Sequence, residues 1–94
     1  MEFDYQRIEG TKADHDIRLF TLSTCGHCKN VKKLMKELGM TYGFIDVDLS
    51  SRQVKREITL FLRENNLPIS FPVIMIDDEI IIGYHEKKII ELLK

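Results

Sequence analysis

Between Ile17 and Leu38 the spacing of apolar residues changes from the period of a strand to that of a helix, and this change limits the folds open to the chain. In IRLFTL, residues 17–22, Ile17, Leu19 and Thr21 fall on one side and Arg18, Phe20 and Leu22 on the other. That alternation suits a strand buried over most of its surface. After STCG the apolar positions become Cys28, Val31, Leu34, Met35 and Leu38, one face of a helix. Lys29, Lys32, Lys33 and Lys36 occupy its other side, and Gly39 is a stop signal. TYGFIDVDL, residues 41–49, then reads as a second strand. A strand, a helix and a strand in this order form a βαβ unit, with parallel strands and a right-handed crossover.

The remainder continues in the same style. Ser50 and Gln53 have the spacing of a capping box, with Leu49 and Val54 as its hydrophobic staple, and Val54, Ile58, Phe61 and Leu62 carry a helical face to about Asn65. NNLP breaks that helix, with Pro68 as its terminator. FPVIMI and EIIIG read as two antiparallel strands joined by a tight turn at Asp77 and Asp78. EKKIIELLK closes the chain as a helix with Ile89, Ile90 and Leu93 inward, so the order is β-α-β-α-β-β-α. Residues 1–16 form an N-terminal arm in which Tyr5 to Ile8 suits a short edge strand, and residues 17–94 form the domain proper. With 94 residues there is room for one core.

Charge and hydropathy set aside several partners. A net charge of -1 and a pI near 6.3 offer no electrostatic attraction for nucleic acid or an anionic membrane. The apolar runs are too short to span a bilayer, and MEFDYQRIEG lacks the apolar centre of a signal peptide, so a cytoplasmic location is expected. The cytoplasm keeps thiols reduced, which disfavours a purely structural disulfide and leaves room for a catalytic one.

The only two cysteines, Cys25 and Cys28, lie where the strand ends and the helix begins. At a helix start the first cysteine meets free backbone N–H groups and the positive end of the helix dipole, which stabilise a thiolate and make Cys25 the nucleophile. Cys28, deeper on the apolar face, is placed to resolve a mixed disulfide formed on Cys25. A protonated His27 beside Cys25 would favour the charged sulfur and make the couple more oxidising. A structural zinc site needs four ligands, and His15, His27 and His85 have neither the number nor the spacing to complete one with two cysteines. His15 and His85 read as surface histidines, and the lysines after Cys28 as a solvated face, or alternatively as a source of positive potential near Cys25.

RLFTLSTCGHCKNVKKLMKELG, YGFIDVDL and FPVIMIDDEIIIG with a terminal helix together resemble the glutaredoxin branch of the thioredoxin superfamily, over about residues 17–94. The resemblance implies a thioredoxin-like α/β fold: a four-stranded mixed sheet in the order two, one, three, four, flanked by three helices. It implies a cis-proline before the third strand, here Pro72, with the backbone of Phe71 offered to an incoming substrate chain in the manner of an added strand. Thr24 and Gly83 fall on the same substrate-binding surface. Glutaredoxins that use glutathione usually have a lysine three positions before the first cysteine, a threonine and valine before the proline, and a Gly-Gly pair followed by aspartate after the fourth strand. This chain has Leu22, then Ser70 and Phe71, then Gly83 and Tyr84 followed by His85 and Glu86. The buried acid of thioredoxins is Leu19 here, and the Cys-Gly-His-Cys sequence is similar to that of protein disulfide isomerases.

The function so implied is that of a thiol–disulfide oxidoreductase that reduces protein disulfides through a redox-active Cys25–Cys28 disulfide, without further cofactor or metal. It is expected to act as a monomer, fed by a thioredoxin-reductase-like or other protein reductase, with glutathione disfavoured by the missing anchors. The alternative is an iron–sulfur module of glutaredoxin type, which would need ligands from a second chain because such clusters usually take four.

Overall fold

The computed structural model describes residues 3–94, and residues 1 and 2 of the expected arm lie outside the described residues. The elements are β1 (Gln6–Ile8), β2 (Ile17–Thr21), α1 (Gly26–Glu37), β3 (Tyr42–Asp46), a 3-10 turn (Val47–Leu49), α2 (Arg52–Glu64), β4 (Val73–Ile76), β5 (Glu79–Ile82) and α3 (Glu86–Leu92). The strands form one sheet in the order β1-β3-β2-β4-β5. β2 and β3 are parallel, while β2 with β4 and β4 with β5 are antiparallel. The order expected from the sequence is present as β3-β2-β4-β5, and this is a thioredoxin-like fold with three helices. The sheet has five strands where the resemblance implies four, because the arm adds β1 antiparallel to β3, with Arg7 opposite Gly43. A side chain at Gly43 would not fit there: a Cβ would stand 2.9 Å from that of Tyr5.

Alternation along the central strands sends side chains to two separate cores. Ile17, Leu19, Ile74 and Ile76 pack with Val31, Leu34 and Met35 of α1 and Ile89 of α3 on one face. Phe20, Val73 and Met75 pack with Ile58 and Leu62 of α2 on the other. The arm closes the second core. Phe3 meets Phe20 and Phe61 edge-on with centroids 5.4 and 6.2 Å apart, and Tyr5 stacks on Phe20 at 6.1 Å. Full burial of such side chains contributes about 1.5–3 kcal/mol each. The arm is therefore part of the packed structure, although its charged composition disguises this.

Helix ends follow their local chemistry. Gly39, at φ 71°, ends α1 with its N–H on Lys36 O while Met40 N–H reaches Met35 O, the two bonds of a Schellman motif. Asn66, at φ 56°, ends α2 in the same way through Arg63 O and Leu62 O. The start of α2 differs from the capping box read in the sequence. Ser51 is the cap, accepting from Val54 N at 3.2 Å, while Ser50 Oγ donates to Asp46 O and Leu49 is 72% exposed. The intervening 3-10 turn shifts the helix start by one residue and turns Leu49 outward.

The β4–β5 turn is tied to the start of β2. Asp77 takes a left-handed φ of 54° and its N–H donates to Asp16 O, while its carboxylate accepts from Asp16 N at 2.9 Å and meets His15 Nδ1 at 2.7 Å. His15 is thus a partner in a tertiary clamp, in place of the free surface histidine expected. Among the described residues no helix is long and apolar enough to cross a membrane.

Candidate active site

The end of β2 and the start of α1 place both cysteines. Cys25 N–H donates to Leu22 O, closing a turn, and Cys25 O accepts from Lys29 N–H as the first helical bond. Cys25 is therefore the N-cap of α1, with extended backbone dihedrals, and its Sγ accepts from Cys28 N–H at 3.3 Å. Sulfur here fills the capping role that an oxygen serves in Ser or Asp. Cys28 is fully buried, and its Sγ accepts from Leu22 N–H at 3.4 Å. Both are free thiols in this structure.

This arrangement separates the two sulfurs chemically. Cys25 is held below the usual cysteine range, first by the hydrogen bond from the Cys28 thiol, then by the backbone N–H groups of Cys28 and His27. Cys28 is pushed up to about 12, chiefly by burial and next by sharing its proton with Cys25. One thiol is thus poised to ionise and the other to keep its proton. The two titrations are those of a coupled pair, in which the proton held by Cys28 stabilises charge on Cys25.

The other expected residues surround this pair. His27 reaches Cys25 through its backbone N–H, while the residue is exposed. Thr24 is exposed beside Cys25. The Phe71–Pro72 peptide is cis, Pro72 is buried and Phe71 half-buried. Phe71 lies just outside the β2–β4 ladder, whose register ends at Phe20 opposite Val73. Gly83, at φ 88°, donates its N–H to Pro72 O at 2.8 Å and so ties the end of β5 to the proline loop. His85 folds back, with Nε2 3.0 Å from Ile82 O.

Two polar clusters beside the dithiol escape a reading of the sequence. Ser23, two residues before Cys25, donates both its N–H and its hydroxyl to the Asp48 carboxylate. Thr21 Oγ1 donates to Asp46 Oδ1 at 2.6 Å, and Lys32 Nζ meets the same oxygen at 2.9 Å. The lysine face of α1 is therefore not uniform: Lys33 is 76% exposed, whereas Lys32 is 24% exposed and paired. An acid at the end of an apolar strand, in FIDVDL, is the one sequence signal that pointed there.

Two thiols in one chain fall short of the four ligands usual for an iron–sulfur cluster. Among the described residues no group of three or more His, Cys, Asp or Glu side chains is placed to hold a metal ion. The donors of one chain do not make a cluster site by themselves.

Comparison with known proteins agrees with this geometry. The glutaredoxin family model matches residues 17–81. A glutaredoxin-like 8.6 kDa protein in the rubredoxin operon of Clostridium pasteurianum is 30% identical over 78 residues, covering 83% of this chain and 97% of that protein. The glutaredoxin from Methanosarcina mazei Go1 superposes with a TM-score of 0.82 at 32% identity, over 95% of this chain and 86% of its own. Methanoredoxin from Methanosarcina acetivorans does so with 0.78 at 34% identity, over 86% of each chain. A dithiol at the head of α1, a thioredoxin-like sheet beneath it and these matches lead to one conclusion: the chain belongs to the glutaredoxin family of thiol oxidoreductases.

Proposed function

We propose that this chain is an electron carrier that reduces protein disulfides in the cytoplasm as a monomer, drawing electrons from a protein reductase in preference to glutathione. The observation that carries the reading is the division of labour between the sulfurs: Cys25 caps α1 with its charge favoured, while Cys28 is buried behind it and protonated. Cys25 thiolate attacks one sulfur of a substrate disulfide. A Cys25–substrate bond forms, the substrate S–S bond breaks, and one substrate thiolate leaves.

Cys28 then gives its proton to solvent and attacks Cys25 Sγ, forming the Cys25–Cys28 disulfide and releasing the second substrate thiolate. Two electrons have passed to the substrate, and a reductase dithiol returns them by the reverse exchange. The backbone of Phe71, outside the ladder beside Pro72, is the edge against which an extended substrate chain lies. Thr24 and Gly83 flank it, and His27 contributes its backbone N–H to the sulfur of Cys25.

The preference for a protein reductase rests on side chains that would hold glutathione's carboxylates. Leu22 stands where a lysine is usual and is packed against the second core, and Tyr84 and His85 follow Gly83 where a glycine and an aspartate are usual. Insulin reduction driven by NADPH and a thioredoxin reductase, compared with NADPH, glutathione and glutathione reductase, tests this. Faster turnover in the first system is expected, and equal or faster turnover with glutathione would overturn the preference. Cys25→Ser should abolish turnover and Cys28→Ser should accumulate a mixed disulfide visible by mass. Full activity in Cys25→Ser would overturn the mechanism.

A further inference from the structure

Lys32 is the charged residue whose environment the dithiol mechanism leaves unexplained. It lies four residues after Cys28 on α1, so the two side chains share one helix face about 5–6 Å apart at Cβ. A lysine there would ordinarily extend into water. Instead its Nζ is 2.9 Å from Asp46 Oδ1, at the end of β3, and 4.0 Å from the centre of the Phe44 ring, which attracts a cation over its face.

Asp46 is itself only 13% exposed and is fixed on its other side by the fully buried Thr21, its register partner across the parallel ladder. Thr21 adjoins Leu22, whose N–H donates to Cys28 Sγ. The chain of contacts thus returns to the sulfur from which it began: Cys28, Leu22, Thr21, Asp46, Lys32 and one helical turn back to Cys28.

Resting on the dithiol reading above, we infer that Lys32, held in place by Asp46, is the positioning residue that supplies positive charge to Cys28 when it becomes the attacking thiolate of the resolving step. Before substrate arrives, the charge sits on Cys25 and Cys28 keeps its proton. Once Cys25 is tied up in a mixed disulfide, its negative charge is gone and Cys28 must ionise inside the protein. The charged or titratable groups facing it are Cys25 and Lys32 from α1, with Asp46 from β3 behind Lys32. Lys32 is the one cation among them, and its field favours the Cys28 thiolate. Asp46 keeps the ammonium near α1, and Thr21 keeps Asp46 from turning away. The proton passes to solvent, so Lys32 acts through its charge and no bond to it forms or breaks.

Reaction with the aromatic disulfide 5,5′-dithiobis(2-nitrobenzoate) separates the two steps. The first nitrothiobenzoate is released as Cys25 is captured, and the second as Cys28 attacks Cys25 Sγ and closes the protein disulfide. Stopped-flow absorbance between pH 5 and 10 gives a pH profile for each phase. In Lys32→Met the second phase is expected to slow by about threefold to tenfold at pH 7 with its midpoint displaced to higher pH, the size of a charge removed at this distance in a partly solvated site. The first phase should keep its rate and profile, and Lys32→Arg should restore the second.

Lys32→Met with Asp46→Asn removes both charges together, so that a loss of fold from an unpaired Asp46 does not mask the result, and it should displace the second phase in the same direction by a smaller amount, because the opposing charge of Asp46 leaves with that of Lys32. An unchanged second-phase profile in these variants, or an equal slowing of both phases, overturns the inference. Absence of a second phase in the native protein, or its persistence in Cys28→Ser, overturns the dithiol reading and the inference with it.

Discussion

Replacing Thr21 by valine tests whether the hydroxyl beneath the dithiol supports the structure through Asp46. Thr21 is fully buried, and its one hydroxyl proton has two acceptors within reach, Asp46 Oδ1 at 2.6 Å and Ile45 O at 3.2 Å. The shorter bond, to a carboxylate, takes the proton, because charge-assisted hydrogen bonds are roughly twice as strong as neutral ones. Such a bond contributes about 1.5–3 kcal/mol. Valine fills nearly the same volume and adds a buried methyl group worth about 0.8 kcal/mol, so the net loss should be about 1–2 kcal/mol. For a domain of this size that is a fall in Tm of roughly 4–16 °C.

Urea denaturation should show the midpoint reduced at constant slope. A double-mutant cycle with Asp46→Asn then isolates the pair, and its coupling should exceed about 0.5 kcal/mol because the two side chains touch. A Thr21→Val protein as stable as the native one, or additive effects in the cycle, would refute the assignment of the hydroxyl proton to Asp46.

The pH dependence of stability should carry the signature of the His15–Asp77 clamp. His15 is raised, chiefly by its hydrogen bond to Asp77, so its contribution is complete below about pH 6.5, the unfolded value, and is lost as pH rises through the folded one. Asp77 is lowered, chiefly by His15, so its contribution is present above the ordinary value of 3.8 and lost as pH falls through the folded one. The Tm difference between native protein and His15→Gln should therefore peak between about pH 4 and 6.5, and a flat difference from pH 3 to 9 would count against the clamp. Gly10→Ala drives a Cβ into Gly39 O and to 2.7 Å from the Gly39 and Met40 carbonyl carbons, all backbone. A loss of about 1–3 kcal/mol in urea denaturation is expected, and an unchanged midpoint would mean that the arm yields without cost. Iodoacetamide alkylation of Cys25 should have a pH midpoint below that of an ordinary cysteine, and Cys28→Ala should raise it because the Cys28 thiol is the largest source of the lowering. His27→Ala keeps the backbone N–H, so most of the lowering should survive, and its complete loss would transfer the effect to the imidazole.

The parts of this protein legible in its sequence are those that depend on neighbours along the chain. The change of hydrophobic period at Leu22 places Cys25 at a helix start and Cys28 one turn behind it on the buried face, and it is the Cys28 thiol, ahead of the backbone N–H groups, that lowers Cys25. Gly39 stops α1 through a local backbone motif. What was hidden depends on sheet register. Arg7 pairs with Gly43 only after β1 has found the free edge of β3, and nothing in the charged arm announces that Phe3 and Tyr5 will close a core around Phe20.

Lys32 shows the same limit at the site itself. In the sequence it is one of four lysines on a polar helix face, indistinguishable from Lys29, Lys33 or Lys36. The parallel ladder sets Thr21 opposite Asp46, and one of the four lysines meets that fixed carboxylate while Lys33 remains in solvent. Selection among equivalent charges is thus made by tertiary packing, and the residue it selects lies one helical turn from Cys28. Exchanging that lysine for arginine should cost little, whereas moving it one position along the helix, by Lys32→Gln with Val31→Lys, would bury a charge among Leu34 and Met35 and leave Asp46 without its cation. A charge is therefore accommodated at position 32, where a carboxylate meets it, and not at position 31, which lies in the core.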